Sequence, residues 1–454
     1  MSRPPRLLGA AMEVVVLPTA TRIEPWDLAA SQVPVLCGTL ADSQQTAWEA
    51  AGLLRVDRLS SGRPAIVMSD RQWVTAEALR RLRSAGPGRL RVTDSDWWRT
   101  HGPLQPVSEP GAMELALWDG TGVVPDTLER LVALPLVDVD LGLSDSPRGG
   151  TNNDRLKHAN RPLRVGAAGV HLVAAWPHVV YVNQLAIQAL AFGAKARFDS
   201  APIWRKATQL VRLLSRARST NGHDVAAAMN VLAGDVDIHP SATVEASILG
   251  PGCVVGPQAV VRASVLGAGV VIDEHATLVS SVVQDHARIG PYGHLRYSVA
   301  MSHARISSGA GFQLSAFGQH SFVAWGAAAL DLSFGRTIRI RPPGGPVDTE
   351  QHLLGCAVGH RAVVGQGVRL APGAMVPSDA TLFAAPTSVY RGWGDHPATT
   401  EAVYSEGLSV RALAADATSS RLHGLGSGRQ DALLRDDPSN EPGRSHVKGE
   451  ISGG

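Results

Sequence analysis

Histidine and arginine side chains in the second half of the chain are the first candidates for chemistry. Imidazole exchanges a proton near neutral pH, so it suits a general base acting on a hydroxyl or an amine. A buried or exposed structural histidine is the alternative at each position. The candidates are His275, His286, His294, His303, His320, His352 and His360.

Three arginines lie between His320 and His352, in a segment with strand-like alternation. Arg336, Arg339 and Arg341 alternate with apolar residues over Phe334–Arg341, and Pro342–Pro346 predicts a turn back. Guanidinium groups on one face suit the recognition of phosphate. A basic, solvated hairpin is the alternative.

Composition limits the classes of protein that the chain can belong to. The 454 residues carry a formal charge of +2, with 44% hydrophobic and 18% charged residues. This balance excludes wholesale disorder and gives no charge signal for nucleic-acid binding. Three distant cysteines exclude a disulfide scaffold and a cysteine zinc cluster, and they suit a reducing compartment. We expect a cytoplasmic protein without a nucleic-acid partner.

One long uncharged stretch raises the question of a membrane span. Residues 165–194 contain no Lys, Arg, Asp or Glu. Against a span stand His171, the Trp176-Pro-His178 break and the polar residues Asn183 and Gln184, which are costly in hydrocarbon. We therefore expect a buried strand and helix here, and no membrane partner.

The residues from 231 to 390 repeat with a period of seventeen. The segments that begin at Ala246, Ala263, Ser280 and Tyr297 start seventeen residues apart, and an apolar residue recurs at steps of six, six and five. After Ile306 the pattern becomes irregular, and a strict step of six returns from residue 358. Such steps predict short strands separated by tight turns, with three strands in each triangular coil and parallel pairing between coils.

These repeats resemble the hexapeptide-repeat transferases, which fold as a left-handed parallel β-helix. The segments Ser247-Ile-Leu-Gly250 and Ile289-Gly-Pro-Tyr-Gly-His-Leu-Arg296 are similar to the acetyltransferase half of the bifunctional N-acetylglucosamine-1-phosphate uridyltransferase/glucosamine-1-phosphate acetyltransferase family. The resemblance implies acetyl-CoA or another acyl-CoA as donor and a catalytic histidine. His320, near the matching place, is the first candidate for the base, and His360 is the second. Arg296 matches an arginine that holds the sugar phosphate.

Residues 1–160 alternate strands and helices, which favours a parallel sheet covered by helices. The order resembles the nucleotidyltransferase half of the same family, but Leu17–Arg22 lacks the glycines that would cradle a triphosphate, and Pro18 removes an amide donor. Arg22 matches the family's phosphate-contacting arginine and Asp70 its metal-binding aspartate. Asp94-Ser-Asp96 is a second carboxylate pair for Mg²⁺. Ordinary loop side chains are the alternative for each, and we expect a degenerate domain.

The overall prediction is a degenerate nucleotidyltransferase-like α/β domain (1–160), a helical connector (161–230), a left-handed β-helix (231–390) and a C-terminal tail (391–454), largely disordered from about 405. The resemblance implies a CoA-dependent acyltransferase acting on a sugar phosphate or sugar nucleotide, with Arg339 and Arg341 available for the phosphates of coenzyme A. A non-catalytic binding module and an active nucleotidyltransferase are the alternatives. β-Helices of this class usually trimerise, and the segment 331–354 needs a surface to contact, so we expect a homotrimer.

Overall fold

The computed structural model describes residues 12–60, 62–145, 164–307, 309–384, 389–390, 402–406 and 409–412, with the backbone alone from 384 onward. The described residues all belong to one compact unit that ends at Ala412. No described helix is long and apolar enough to cross a membrane.

The front of the chain builds a six-stranded sheet flanked by helices. Its strands are β1 (Met12–Leu17), β2 (Leu53–Arg55), β3 (Ala65–Ser69), β4 (Gly88–Val92), β5 (Ala112–Trp118) and β6 (Leu136–Val139), in the order β6-β4-β5-β3-β1-β2. The expected α/β sheet is present but mixed, because β5 runs antiparallel between β3 and β4. The helix Ser95–His101 and the loop that follows it connect β4 to β5.

The described residues also form seven helices and five small two-stranded sheets. The helices are α1 (Leu40–Ala51), α2 (Ala76–Ala85), α3 (Ser95–His101), α4 (Leu128–Val132), α5 (Trp176–Ser200), α6 (Ile203–Ala217) and α7 (Gly222–Ala228). The two-stranded sheets pair Arg22–Ile23 with Leu28–Ala29, Pro34–Val35 with Gly38–Thr39, Gln72–Val74 with Val170–Leu172, Ser144–Asp145 with Arg164–Val165, and Arg339–Ile340 with Val347–Asp348. A short 3₁₀ turn covers Ala30–Gln32.

Short strands from residue 231 onward stack into the three faces of a left-handed parallel β-helix. Sheet 1 contains Val231–Leu232, Ile248–Leu249, Val265–Leu266, Val282–Val283, Val299–Ala300, Ala316–Phe317, Ala357–Val358 and Met375–Val376. Sheet 2 contains Asp237–Ile238, Val254–Val255, Val271–Ile272, Arg288–Ile289, Arg305–Ile306, Phe322–Val323, Val363–Val364, Thr381–Ala384, Ala402–Glu406 and Ser409–Ala412. Sheet 3 contains Thr243–Glu245, Val260–Arg262, Thr277–Val279, His294–Arg296, Gly311–Gln313, Ala328–Ala329, Arg369–Leu370 and Val389–Tyr390.

The inward residues follow the seventeen-residue period and form one continuous core. Leu266 pairs with Val283, and Val283 pairs with Ala300, each seventeen residues apart in sheet 1. Ala300 in turn pairs with Phe317. The expected irregularity after Ile306 is therefore wrong: aromatic residues replace aliphatic ones, but the coils continue to Ala329. The two strands predicted to be tail, 402–406 and 409–412, extend sheet 2, and the rest of the predicted disordered segment lies outside the described residues.

A column of serines holds the corner between sheets 3 and 1. Each hydroxyl donates to a carbonyl two residues earlier and accepts a backbone N–H from one coil later. Thus the Ser264 N–H lies 3.2 Å from Ser247 Oγ, and the Ser281 N–H lies 3.1 Å from Ser264 Oγ. The column continues with Ser298 and Ser315. It satisfies buried amides where the backbone turns, so it fixes the register of the corner.

Helix α5 covers the outer face of sheet 1. The outward side chains Val282 and Val299 are fully buried and belong to one core cluster with Val179 and Val182 of α5. The Gln184 side chain donates to Ser280 O at 2.8 Å, which fixes the helix along the sheet. The prediction of a buried strand and helix within residues 165–194 is confirmed by Val170–Leu172 and α5.

The front domain and the segment 331–354 also pack against this face. The Trp26 indole donates to Val358 O at 2.8 Å, and Gln284 donates to Leu36 O at 3.2 Å. Ile340 of the 331–354 hairpin lies in the same core cluster as α5. The hairpin predicted at Phe334–Pro346 exists, but its apolar side contacts its own chain. The segment 331–354 therefore needs no second copy of the chain to cover it. The homotrimer stays a prediction.

We predict that the core of the β-helix tolerates no loss of volume at Phe317. This side chain is fully buried against Phe312, with ring centroids 4.9 Å apart. Phe317→Ala should lower the free energy of unfolding by about 3–5 kcal/mol because it leaves a cavity. Phe322→Ala, whose side chain is partly exposed on the outer face of sheet 2, is the matched control and should cost far less. Equal losses in urea unfolding would contradict the described core.

Three buried histidines meet where α3, the strand Val170–Leu172 and α5 join. The rings of His101 and His171 lie 5.6 Å apart, and those of His171 and His178 lie 4.8 Å apart. His178 accepts the Ala174 N–H on Nδ1 and donates from Nε2 to Pro103 O at 2.9 Å. Burial lowers the pKa of His178 to about 4 and holds that of His171 well below its ordinary value.

These histidines predict a loss of stability in mild acid. A histidine that protonates less readily when folded stabilises the fold above its unfolded pKa, and that contribution is lost as the pH falls. For His178 the loss should be about 2 kcal/mol between about pH 7 and about pH 5. His178→Gln should flatten the pH dependence of urea unfolding over this range. An unchanged slope in the variant would show that His178 does not carry it.

Candidate active site

A column of three stacked histidines follows the corner between sheets 1 and 2. His286, His303 and His320 lie seventeen residues apart, all exposed and with φ between 56° and 61°. Ring centroids are 5.2 Å apart for the first pair and 4.7 Å apart for the second, whose planes differ by 3°. We call this column the histidine ladder. Because the coil is regular here, His320 lies at an ordinary corner and not at a break in the repeat.

His360 lies one coil beyond the ladder but is buried. Its ring Nδ1 accepts the backbone N–H of Gln319 at 2.9 Å, and its backbone N–H donates to Ser378 Oγ at 3.0 Å. Burial lowers the pKa of His360, and the Arg361 guanidinium acts in the same direction. With Nδ1 occupied by an amide, the neutral ring carries its proton on Nε2, so it donates there and does not accept. This geometry favours His320 over His360 as a base.

The arginine matched to sugar-phosphate binding lies at a different corner. Arg296 ends a strand of sheet 3, and its guanidinium stacks 5.1 Å above the Tyr297 ring. The segment 331–354 leaves the coil at this same corner, between sheets 3 and 1. An added Cβ on Gly373 of that corner would lie 2.7 Å from Arg339 O, which places the arginine hairpin beside it. Sheet 1, covered by α5, separates these arginines from His320.

The arginine hairpin is exposed on its charged face. Arg339 and Arg341 point away from the core, while Ile338 and Ile340, which alternate with them, are buried. Arg339 lies 3.9 Å from Asp348, a weak and exposed ion pair. Both guanidinium groups therefore remain available to a phosphate.

Arg22 of the front domain faces a pocket between the front domain and the β-helix. Its guanidinium binds Asp27, with Nε 2.7 Å from Oδ1. The pocket is lined by Arg22 and Glu24, by Trp176 at the start of α5, and by Ile340 and Val347 of the hairpin. Burial raises the pKa of Glu24, and nearby Asp27 adds to the effect. The structure thus brings Arg22 and the hairpin together, although they are over 300 residues apart in the sequence.

The predicted metal ligands of the front domain have other partners. Asp70 accepts the Thr19 hydroxyl at 2.7 Å. Asp94 caps α3 by accepting the Trp97 N–H, and it binds the Arg164 guanidinium at 2.7 Å. Within the described part of the chain, no three His, Cys, Asp or Glu side chains are grouped to hold a metal ion. The described residues therefore give no support for a Mg²⁺ site, and the metal role of Asp70 and of Asp94-Ser-Asp96 stays a prediction.

A buried ion pair that the sequence did not reveal lies below the loop that follows β1. Arg71 binds Glu114 through two contacts, with Nε 2.8 Å from Oε2 and Nη2 2.5 Å from Oε1. Its third nitrogen donates to Thr21 Oγ1 at 2.8 Å. The sequence signal for this pair was one acid, Glu114, within the otherwise apolar strand Ala112–Trp118. The Arg71 guanidinium therefore holds this loop at the place where the resemblance implied phosphate binding.

Residues 234–316 match the family model described as GlmU-like, C-terminal hexapeptide. The match confirms the resemblance stated for the β-helix and ends four residues before His320. A search of curated proteins finds no match.

Solved structures with similarity to the chain include several hexapeptide proteins. They include a hexapeptide transferase family protein from Anaplasma phagocytophilum, with 12% identity over 41% of this chain and 81% of that chain and a TM-score of 0.18. They also include the polysialic acid O-acetyltransferase OatWY (11% identity, 40% and 85% coverage, TM-score 0.20) and the UDP-N-acetylglucosamine acyltransferase from Campylobacter jejuni (12%, 40% and 73%, 0.20).

We predict that Glu114→Gln destabilises the front domain. It leaves the buried Arg71 guanidinium without its carboxylate, which should cost about 3–5 kcal/mol in urea unfolding. Asp27→Asn, which removes the exposed partner of Arg22, is the matched control and should change stability little. A similar small effect in both variants would contradict a structural role for the buried pair.

Proposed function

We propose that the protein is a CoA-dependent acyltransferase that acts on a sugar or sugar nucleotide through its β-helix. Support comes from the hexapeptide β-helix and from the family match of residues 234–316. The observation that carries the proposal is the exposed imidazole of His320. Stacking on His303 fixes the plane of its ring and leaves both nitrogens at the ring edge, where an acceptor can approach.

The proposed reaction needs one proton carrier. His320 takes a proton from the acceptor hydroxyl or amine as that atom attacks the thioester carbonyl. The new acyl–oxygen or acyl–nitrogen bond forms, the carbon–sulfur bond breaks, and the proton passes to the leaving thiolate of coenzyme A. Arg339 and Arg341 suit the phosphates of coenzyme A, and Arg296 suits the phosphate of the acceptor.

The positions of these groups support a site shared by two copies of the chain. His320 lies at the corner between sheets 1 and 2, whereas Arg296 and the arginine hairpin lie at the corner between sheets 3 and 1. Because α5 covers the face between the two corners, one chain does not present them to a common substrate. In a closed homotrimer the first corner of one copy can face the second corner of its neighbour. We therefore retain the homotrimer as part of the proposal.

The front domain fits a non-catalytic role better than nucleotidyl transfer. The loop after β1 lacks glycine and is held by Arg71, which donates to Thr21. Within the described residues Asp70 belongs to no acidic cluster that could hold a metal. Sugar-nucleotide binding without turnover is the second candidate function for the whole chain. This second candidate predicts no binding of acetyl-CoA. Calorimetric titration with acetyl-CoA therefore distinguishes it from the acyltransferase.

We predict that His320→Ala lowers acyl transfer by roughly 10²–10⁴, because the attacking atom loses its proton acceptor. Acetyl-CoA binding, measured by calorimetry, should change little because the substitution leaves the phosphate contacts intact.

His286→Ala at the far end of the ladder is the matched control and should keep most of its activity. Arg296→Ala should mainly raise the KM for a phosphorylated acceptor. Full activity of His320→Ala would exclude His320 as the base.

A further inference from the structure

Helix α6 (Ile203–Ala217) leaves an apolar face open to solvent. Every large apolar residue on this face is exposed by at least 36%, and Ile203 by 82%. The exposed set is Ile203, Trp204, Leu210, Val211 and Leu214. The helix contacts the rest of the protein elsewhere: Leu213 and Ala217 are half-buried, and Arg216 Nη2 donates to Asn230 O at 3.4 Å.

The apolar face is wider than a helix–helix seam. At 100° per residue, Ile203, Ala207, Leu210 and Leu214 cluster within about 60° of one another, and Val211 and Trp204 extend the face well beyond them. A seam between two helices needs a narrower stripe. A face this broad suits shallow immersion in an apolar medium.

The opposite face of the helix carries positive charge only. Arg205, Arg212 and Arg216 lie within about 40° of one another on the side away from Ile203. Residues 195–218 hold seven basic residues and one acidic residue, Asp199. That single carboxylate is already bound by Lys195 at 2.6 Å. The segment therefore lacks the internal counter-charge that pairs neighbouring helices in a bundle.

We propose that α6 lies on the surface of a membrane that contains anionic lipid. A basic amphipathic helix with a tryptophan on its apolar side binds at the boundary between headgroups and acyl chains, with its charges held among the headgroups. Trp204, with Arg205 stacked 4.9 Å over its ring, has this arrangement. Association with a second copy through the same face would gather like charges without a counter-charge. The proposal is independent of acyl transfer and concerns surface binding, not a membrane span.

The test is co-sedimentation of the full chain with two kinds of vesicle at low ionic strength. One is phosphatidylcholine alone and the other is phosphatidylcholine with about one third phosphatidylglycerol. We expect binding to the anionic vesicles, weaker binding to the neutral ones, and release as salt is added. Leu210→Gln/Leu214→Gln should weaken vesicle binding at least about tenfold. Both side chains are exposed, so circular dichroism and thermal unfolding should be unchanged.

Two further variants test whether vesicle binding depends on the two faces of α6. Phe334→Gln, which removes an exposed aromatic ring in the 331–354 segment, should bind vesicles like the wild type. Arg212→Gln/Arg216→Gln should lose most of the preference for anionic vesicles. Absence of vesicle binding by the wild type overturns the proposal. So does a fall in molecular mass by light scattering in Leu210→Gln/Leu214→Gln without any vesicle binding, since that result assigns the face to a second copy.

Discussion

Parallel pairing between strands seventeen residues apart determines where every candidate side chain of the β-helix lies. Each coil closes after steps of six, six and five, so a residue type that recurs at this period stacks on itself along one edge of the prism. The serine column and the histidine ladder both follow from this pairing, the first inside a corner and the second outside one. Each corner also places one residue per coil at positive φ, and at the corner of the histidine ladder these residues are glycine, histidine, aspartate or arginine.

The second constraint is that other parts of the chain cover sheet 1. This covered face leaves different candidate residues at its two edges. Residues from α5, the front domain and the 331–354 hairpin share one core with the outward side chains of this sheet. One edge of the covered face carries the histidine ladder, and the other carries Arg296 and the arginine hairpin. The cover thus joins the front domain to the β-helix and keeps the two sets of candidate residues apart within one chain.

The inward register was predictable because it depends on local spacing alone. The burial of the outward face of sheet 1 was harder to predict. Its only sequence signal is that a valine (Val265, Val282 or Val299) directly precedes the inward residue, where a solvent-facing strand would carry a polar residue. The reversal of β5 was not predictable because strand order depends on distant pairing. The choice between His320 and His360 required the structure, because the amide that occupies His360 Nδ1 comes from the preceding coil.

A subunit-mixing experiment tests the shared active site most directly. His320→Ala and Arg296→Ala chains would be unfolded together, refolded as a mixture, and assayed for acyl transfer from acetyl-CoA at limiting acceptor concentration. If the site lies between copies, mixed assemblies contain interfaces with both intact residues, and activity should rise well above that of either variant refolded alone. Activity no greater than the average of the two variants would contradict a site built from His320 of one copy and Arg296 of its neighbour.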